Sequence, residues 1–333
     1  MLGGFLSLLS AITFAYANAS VRRGVLSGTV LQAVGISLPI ALPIFALVMW
    51  PIGGFTALAG FDARSLDLLI VAGVIHFAWG RYCNYRATKA IGANLVAPVQ
   101  QYSLILTLML AVLWLGEPLT VLRIIGIVLV VAGPALTLKP EPKRADEVPP
   151  ETPGETAFTP AYAEGYLYAL LSAVGFGLSP ILINMAFAHK GIAIGVAGGF
   201  VSYLAATVAI GLTLLLPGRW SDFRGVDRTS ARWFVLSGIL VAFSQMTRYM
   251  ALAVAPVSVV TPIQRLSLVF RIYFGWIINP KHEVFGGRIV AGTVLSLLGA
   301  VALSVSVDDV QHVLPLPDAV AALLNWHWSI GAR

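Results

Sequence analysis

Sliding residues 81 to 107 forward by 164 positions lays them on residues 245 to 271, with Tyr85 on Tyr249, Pro98 on Pro262, Gln100 on Gln264 and Ser103 on Ser267. The chain is written twice, and both copies put the same polar residues inside long apolar stretches. The match extends outward. Gly3, Ser10, Ala11 and Phe14 fall on Gly165, Ser172, Ala173 and Phe176 at an offset of 162, and Glu117, Gly126 and Gly133 fall on Glu283, Gly292 and Gly299 at 166. Polar groups are costly in hydrocarbon and face a bundle interior or a watery cavity, so their recurrence at matched positions points to a site between the two copies.

The surroundings of those polar residues set the class. Hydrophobic residues make up 58% of the chain and charged ones 11%, against roughly 45–50% and about 25% in soluble domains. This is the composition of an integral membrane protein. Ten apolar stretches are read, at roughly 3 to 21, 28 to 50, 66 to 85, 93 to 115, 119 to 138, 164 to 186, 192 to 216, 232 to 253, 257 to 278 and 286 to 306. Each approaches the roughly 20 residues a helix needs to cross a bilayer. Alternation over about ten residues is absent, which excludes an outer-membrane barrel. The first stretch lacks a basic leader and a small-residue cleavage pattern, so it is expected to persist as a helix.

Five stretches fall on each side of residues 139–163, a segment rich in Pro, Glu and Thr that reads as a flexible linker. An odd number of spans per copy makes the second copy enter the membrane from the opposite side. The expected fold is therefore an all-α integral membrane protein of ten transmembrane helices, arranged as two inverted five-helix repeats. The repeats are 1–138 and 164–306, followed by a tail at 307–333 whose apolar patch, Val320 to Trp328, is too short to span and is expected to lie along the interface.

A family resemblance appears at this point. The Pro-bearing fourth span (Asn94-Leu95-Val96-Ala97-Pro98-Val99-Gln100), the Leu115-Gly116-Glu117-Pro118 that closes it, and the glycine-containing fifth span resemble the EamA-like ten-helix branch of the drug/metabolite transporter superfamily. The second copy matches through Val259-Val260-Thr261-Pro262-Ile263-Gln264, whereas Asn279-Pro280-Lys281-His282-Glu283 replaces the plainer Leu-Gly-Glu turn. The resemblance implies a carrier that moves small metabolites by alternating access around a central cavity.

The charges inside the spans narrow the cargo. All fifteen acidic residues fall in loops, span ends, linker or tail, while Arg81, Arg248, Arg265 and Arg271 lie within spans. Related small multidrug antiporters use a membrane-embedded glutamate to exchange protons for cationic drugs, and the first span here offers only Thr13, Tyr16 and Asn18. With no acid to neutralise them, the guanidinium groups suit a substrate carboxylate or phosphate. Gln245, Arg248, Tyr249 and Leu252 share one helical face, and Arg81, Asn84, Tyr85 and Thr88 repeat it in the first copy. Gln264, Ser267 and Arg271 share a face matched by Gln100, Ser103 and Thr107. The expected substrate site is Arg81, Asn84, Tyr85, Gln100, Gln245, Arg248, Tyr249, Gln264 and Arg271, with Arg248 and Arg271 gripping the anion. Arg81 and Arg248 also lie near span ends, from where they could snorkel to headgroups.

Other features read as structural. Pro98 and Pro262 each remove a helical hydrogen bond, as a functional break or a packing kink. The glycines of residues 191 to 199 read as a close-packing face, Asn18 and Asn184 as interhelical amides, and Cys83 as packing. Of the five histidines His76 alone could titrate inside the bundle, where it reads first as a satisfied structural histidine and otherwise as a group for proton coupling. The chain offers no metal or catalytic constellation and no Walker loop for ATP.

The function expected is secondary transport of a small anionic or zwitterionic metabolite, in a bacterial inner membrane, with no cofactor and no enzymatic activity. The alternative is a lipid-headgroup flippase or a membrane-embedded enzyme acting on an anionic lipid. Partners are the small-molecule substrate and the bilayer, with a homodimer left open and no nucleic acid. Thirteen Lys and Arg lie in the odd connections and linker against four on the other side. The positive-inside rule then puts the linker in the cytoplasm, whereas the family resemblance implies cytoplasmic termini.

Overall fold

The computed structural model describes residues 2–115, 119–137, 159–187, 191–254, 260, 263–313 and 317–328. Within them the chain is helical almost throughout. Helices α1 (Leu2–Gly24) and α2 (Val30–Met49) are followed by a short α3 (Gly54–Ala59). Then α4 (Ala63–Gly73), a π-helical stretch (Val74–Gly80) and α5 (Arg81–Ile91) run on as one rod. Next come α6 (Ala93–Val99), α7 (Tyr102–Leu115), α8 (Val121–Thr137), α9 (Tyr162–Ala186) and α10 (Ile192–Leu214). Short α11 (Arg219–Arg224) precedes α12 (Arg228–Val254), α13 (Ser267–Ile278) and α14 (Gly287–Ser304). The tail adds α15 (Val307–Val313) and α16 (Asp318–Asn325).

Local sequence sets the starts and stops. Thr29 and Gln32 form a reciprocal capping box that opens α2, and Asp62 accepts the Ser65 N–H to open α4. A single residue, Gly92, turns α5 into α6. Its φ of +84° with ψ of 160° is closed to side chains, and a Cβ there would sit 2.5 Å from Glu283 Oε2. After Pro98 the helix breaks at Gln100 and Gln101, where tighter three-residue bonds run from Gln101 N–H to Pro98 O and from Ser103 N–H to Gln100 O.

Six helices are long and apolar enough to cross a membrane: Leu2–Gly24, Val30–Met49, Ala63–Ile91, Ala93–Leu110, Tyr162–Ile183 and Ile192–Leu214. Val121–Leu136 and Gly287–Leu303 are shorter apolar helices. The outer surface agrees, because Leu47, Leu113, Leu212, Trp276 and Leu298 stand exposed on helix after helix. A soluble protein would bury such an extensive apolar surface.

Helix pairing follows a pattern of exchange. α1 lies against α12 and α13, while α9, the counterpart of α1 in the second copy, lies against α4–α5 and α7, the counterparts of α12 and α13. α2 packs on α10, and α8 on α14. At that last crossing a Cβ on Gly126 would meet Gly299 O at 3.0 Å, and one on Gly133 would meet Gly292 O at 2.6 Å. Duplicated glycines thus meet each other's partners, as a two-fold relation produces, and no side chain fits between the backbones.

Two expectations change, and the tail gains a place in the fold. The first stretch does not end before Arg22: α1 runs to Gly24, and Arg22 is fully buried rather than in a loop. The third helix likewise continues past Arg86 and Lys89 to Ile91. In the tail, β2 (His327–Trp328) pairs antiparallel with β1 (Leu119–Thr120), and α16 rests on α8. The expected roles of Glu117 and Pro262, and of the linker as far as residue 158, lie outside the described residues.

Candidate functional site

The π-helical stretch carries one wider turn in the third rod, a distortion that recurs at functional sites. It sets His76, Phe77 and Arg81 beside α1, α9, α10 and α12. A small enclosed cavity lies there, of ≈ 10 Å³, which is room for about one water. Phe14, Ala17 and Asn18 line it from α1, His76, Arg81, Asn84 and Tyr85 from the third rod, Phe176 from α9, and Val241 and Gln245 from α12.

Arg81 does not snorkel. It is buried, one terminal nitrogen donates to Tyr203 Oη at 2.8 Å, and the guanidinium lies 5.0 Å from the Phe77 ring and 5.2 Å from the Tyr203 ring. Its other terminal nitrogen has no hydrogen-bond partner. A relay of amides continues from the same helix. Gln100 Nε2 donates to Asn84 Oδ1 at 2.7 Å, Asn84 Nδ2 donates to Asn18 Oδ1 at 3.3 Å, and Asn18 Nδ2 donates to Phe14 O at 2.7 Å. Three helices are joined by it, and Asn18 is the interhelical amide expected of it while also facing the cavity.

Five of the nine expected residues therefore come together: Arg81, Asn84, Tyr85 and Gln245 line the cavity, and Gln100 is bonded to Asn84. The other four do not line it. Arg271 is buried with Nε and one terminal nitrogen unpartnered, but the Phe14 ring, 5.0 Å from its guanidinium, stands between it and the cavity. Tyr249 is buried against the glycine face of α10, where a Cβ on Gly199 would meet its ring at 3.3 Å. Those glycines admit aromatic rings, from Tyr249 and Phe45, as well as a neighbouring backbone. Gln264 is half-buried with Nε2 unpartnered, and Arg248 is half-buried on α12. Of the two expected polar stripes, Arg81, Asn84 and Tyr85 of the first copy and Gln245 of the second line the cavity, and Thr88 does not.

His76 and Ser179 were not read as site residues. They share a hydrogen bond of 2.6 Å, with the imidazole packed on Phe77 and Phe176. Tyr203, which pins Arg81, was missed as well. A contact 122 residues away leaves no local signal. Among the described residues, none of the four span arginines makes an ion pair.

A buried acid does exist at one end of the bundle. Glu283 lies 3.8 Å from Arg22, with both side chains excluded from solvent, and accepts the N–H groups of Ala93 at 2.7 Å and Asn94 at 3.0 Å. Burial pushes its carboxyl above the usual carboxylate range, against the opposing pull of Arg22 and the two N–H groups. Arg22 also donates to the carbonyls of Thr88, Lys89 and His282. This clasp ties the end of α1, the α5–α6 turn and the α13–α14 connection.

No curated protein matches the chain. A solved structure titled "Crystal structure of protein" superposes with a TM-score of 0.58 at 19% identity, covering 90% of this chain and 94% of that one. That likeness shows the fold alone. Residues 1–139 match the model of the EamA-like transporter family. With six helices long and apolar enough to cross a bilayer, the chain is a multi-pass membrane protein whose first 139 residues are similar to the EamA-like transporter family.

Proposed function

We propose that the protein is a secondary transporter that carries a small anionic or zwitterionic metabolite by alternating access. The single observation behind the cargo is Arg81. A buried guanidinium with one terminal nitrogen unpartnered, beside a cavity edged by amides and a phenol, is a socket for a carboxylate or phosphate oxygen. The mechanism rests on the exchange of helix pairings. On this reading ten helices form two inverted repeats, 1–138 and 164–306, in a bacterial inner membrane. The cavity in this conformation holds no more than a water, so it is the occluded form. In an open form the second copy's stripe takes over: Arg248, Tyr249, Gln264 and Arg271 line the path, and Arg248 and Arg271 hold the anion.

Uptake into proteoliposomes of L-glutamate, succinate and inorganic phosphate, with choline as a cationic comparison, tests the reading. Uptake of at least one anion and none of choline is expected. Loss of a charge-assisted contact costs about 1.5–3 kcal/mol, so Arg81→Gln and Arg271→Gln should weaken apparent affinity roughly 10- to 150-fold. Arg64→Gln, exposed outside the bundle, is the control. Normal uptake by both variants at equal expression overturns the anion site.

A further inference from the structure

The cavity contains one group that the anion site does not use. Among the residues lining it there is no Asp or Glu, and His76 is the one side chain whose ordinary titration lies near neutral pH. Its Nδ1 is held by Ser179, whereas Nε2 makes no hydrogen bond among the described residues. The widened turn that carries His76 also carries it toward Arg81 within the same wall.

The charges that face His76 come from several elements. Arg81 lies on its own rod and Arg248 on α12, and both act on it electrostatically. α9 contributes the neutral Ser179 and Phe176, α10 the phenol of Tyr203 stacked on Phe77, and the third rod also the phenol of Tyr85. A proton on His76 would place a third positive charge beside two guanidinium groups in a site with little water. An anion in the cavity removes that obstacle, because it supplies the negative charge the site lacks.

We propose that His76 is the proton-binding site that couples transport to the proton gradient. Nε2 takes a proton from water as the anion enters, Nδ1 stays bonded to Ser179, and both proton and anion leave on the other side, so that the two cross together. This rests on the transporter reading above, and two measurements separate its failure from that reading's.

The first needs no substrate. Protein labelled at histidine in nanodiscs is titrated by nuclear magnetic resonance, with the His76 signal assigned as the one missing from His76→Gln. Arg81→Gln should raise the His76 midpoint by about one unit or more with no anion present, since it removes one of the two cations that act on the imidazole. An unchanged midpoint overturns the proposal whatever the protein transports. The second uses proteoliposomes with a trapped pH dye and succinate, L-glutamate or inorganic phosphate outside. Wild type should acidify the lumen as the anion enters and accumulate it when the outside is acidic. His76→Gln should still exchange internal for external anion but lose both proton movement and the response to a pH gradient. His76→Asn, which restores a donor near the Nδ1 position, separates loss of the Ser179 bond from loss of the proton. Proton movement that persists in both variants overturns the proposal. If wild type moves none of the three anions, the transporter reading fails for those classes while the Arg81→Gln titration still decides the proton site.

Discussion

Arg22 and Arg23 stand side by side at the end of an apolar stretch, and nothing local separates their fates. Arg22 is fully buried and Arg23 only partly, because the helix runs one more turn and aims the first at Glu283, which lies far along the chain. Breaking one side of such a buried pair leaves the other charge uncompensated, at a cost of about 3–5 kcal/mol. Arg22→Gln should therefore lower the apparent Tm in detergent markedly, whereas Arg64→Gln should leave it unchanged. Arg81 illustrates the same limit from the functional side. Its span and its face were legible from the 164-residue offset, but not the Tyr203 hydroxyl that fixes one of its nitrogens and leaves the other open.

Helices were the most legible level, because hydropathy and the repeat each locate them independently. Their ends and internal distortions were less so. Pro98 announced a break, and the chain tightens just after it, at Gln100 and Gln101. The π-helical turn at Val74–Gly80 carries no such punctuation, since its wider spacing comes from packing against α9 and α10. Gly92 is the sharpest constraint on any element, with a backbone geometry that side chains avoid at about 1–3 kcal/mol. Gly92→Ala should cost at least that much in thermal stability, because the new methyl also strikes the Glu283 carboxylate. A normal melting curve for this variant would show that the α5–α6 turn relaxes freely.

At the scale of the whole molecule, orientation follows from where the cations lie. Arg23, Lys89, Arg219, Arg224, Arg228, Lys281 and Arg288 cluster around the odd connections, so the positive-inside rule predicts that this face is cytoplasmic. A cysteine placed at exposed Asp62 should react with an impermeant maleimide on intact cells, and one at exposed Asp222 should not; buried Cys83 gives a silent background. The reverse pattern would reverse the orientation. Duplication made the helix pairing readable before any contact was known, since both copies carry the same marks, while the division of labour between the copies depends on side chains meeting across the bundle. The Arg22–Glu283 clasp is the clearest departure from that equality. Position 184, which occupies in the second copy the place of Arg22 in the first, is Asn184, so the duplication does not repeat the guanidinium there. On the alternating-access reading proposed above, two interchangeable halves would idle evenly between their two directions, and the Arg22–Glu283 fastening at this mouth tilts the resting population. A solute arriving from the fastened face meets few receptive copies and so needs a higher concentration to half-saturate them, in inverse proportion to that fraction. On that reading, sidedness is set less by the binding pocket than by the Arg22–Glu283 pair of charges at one end of the bundle.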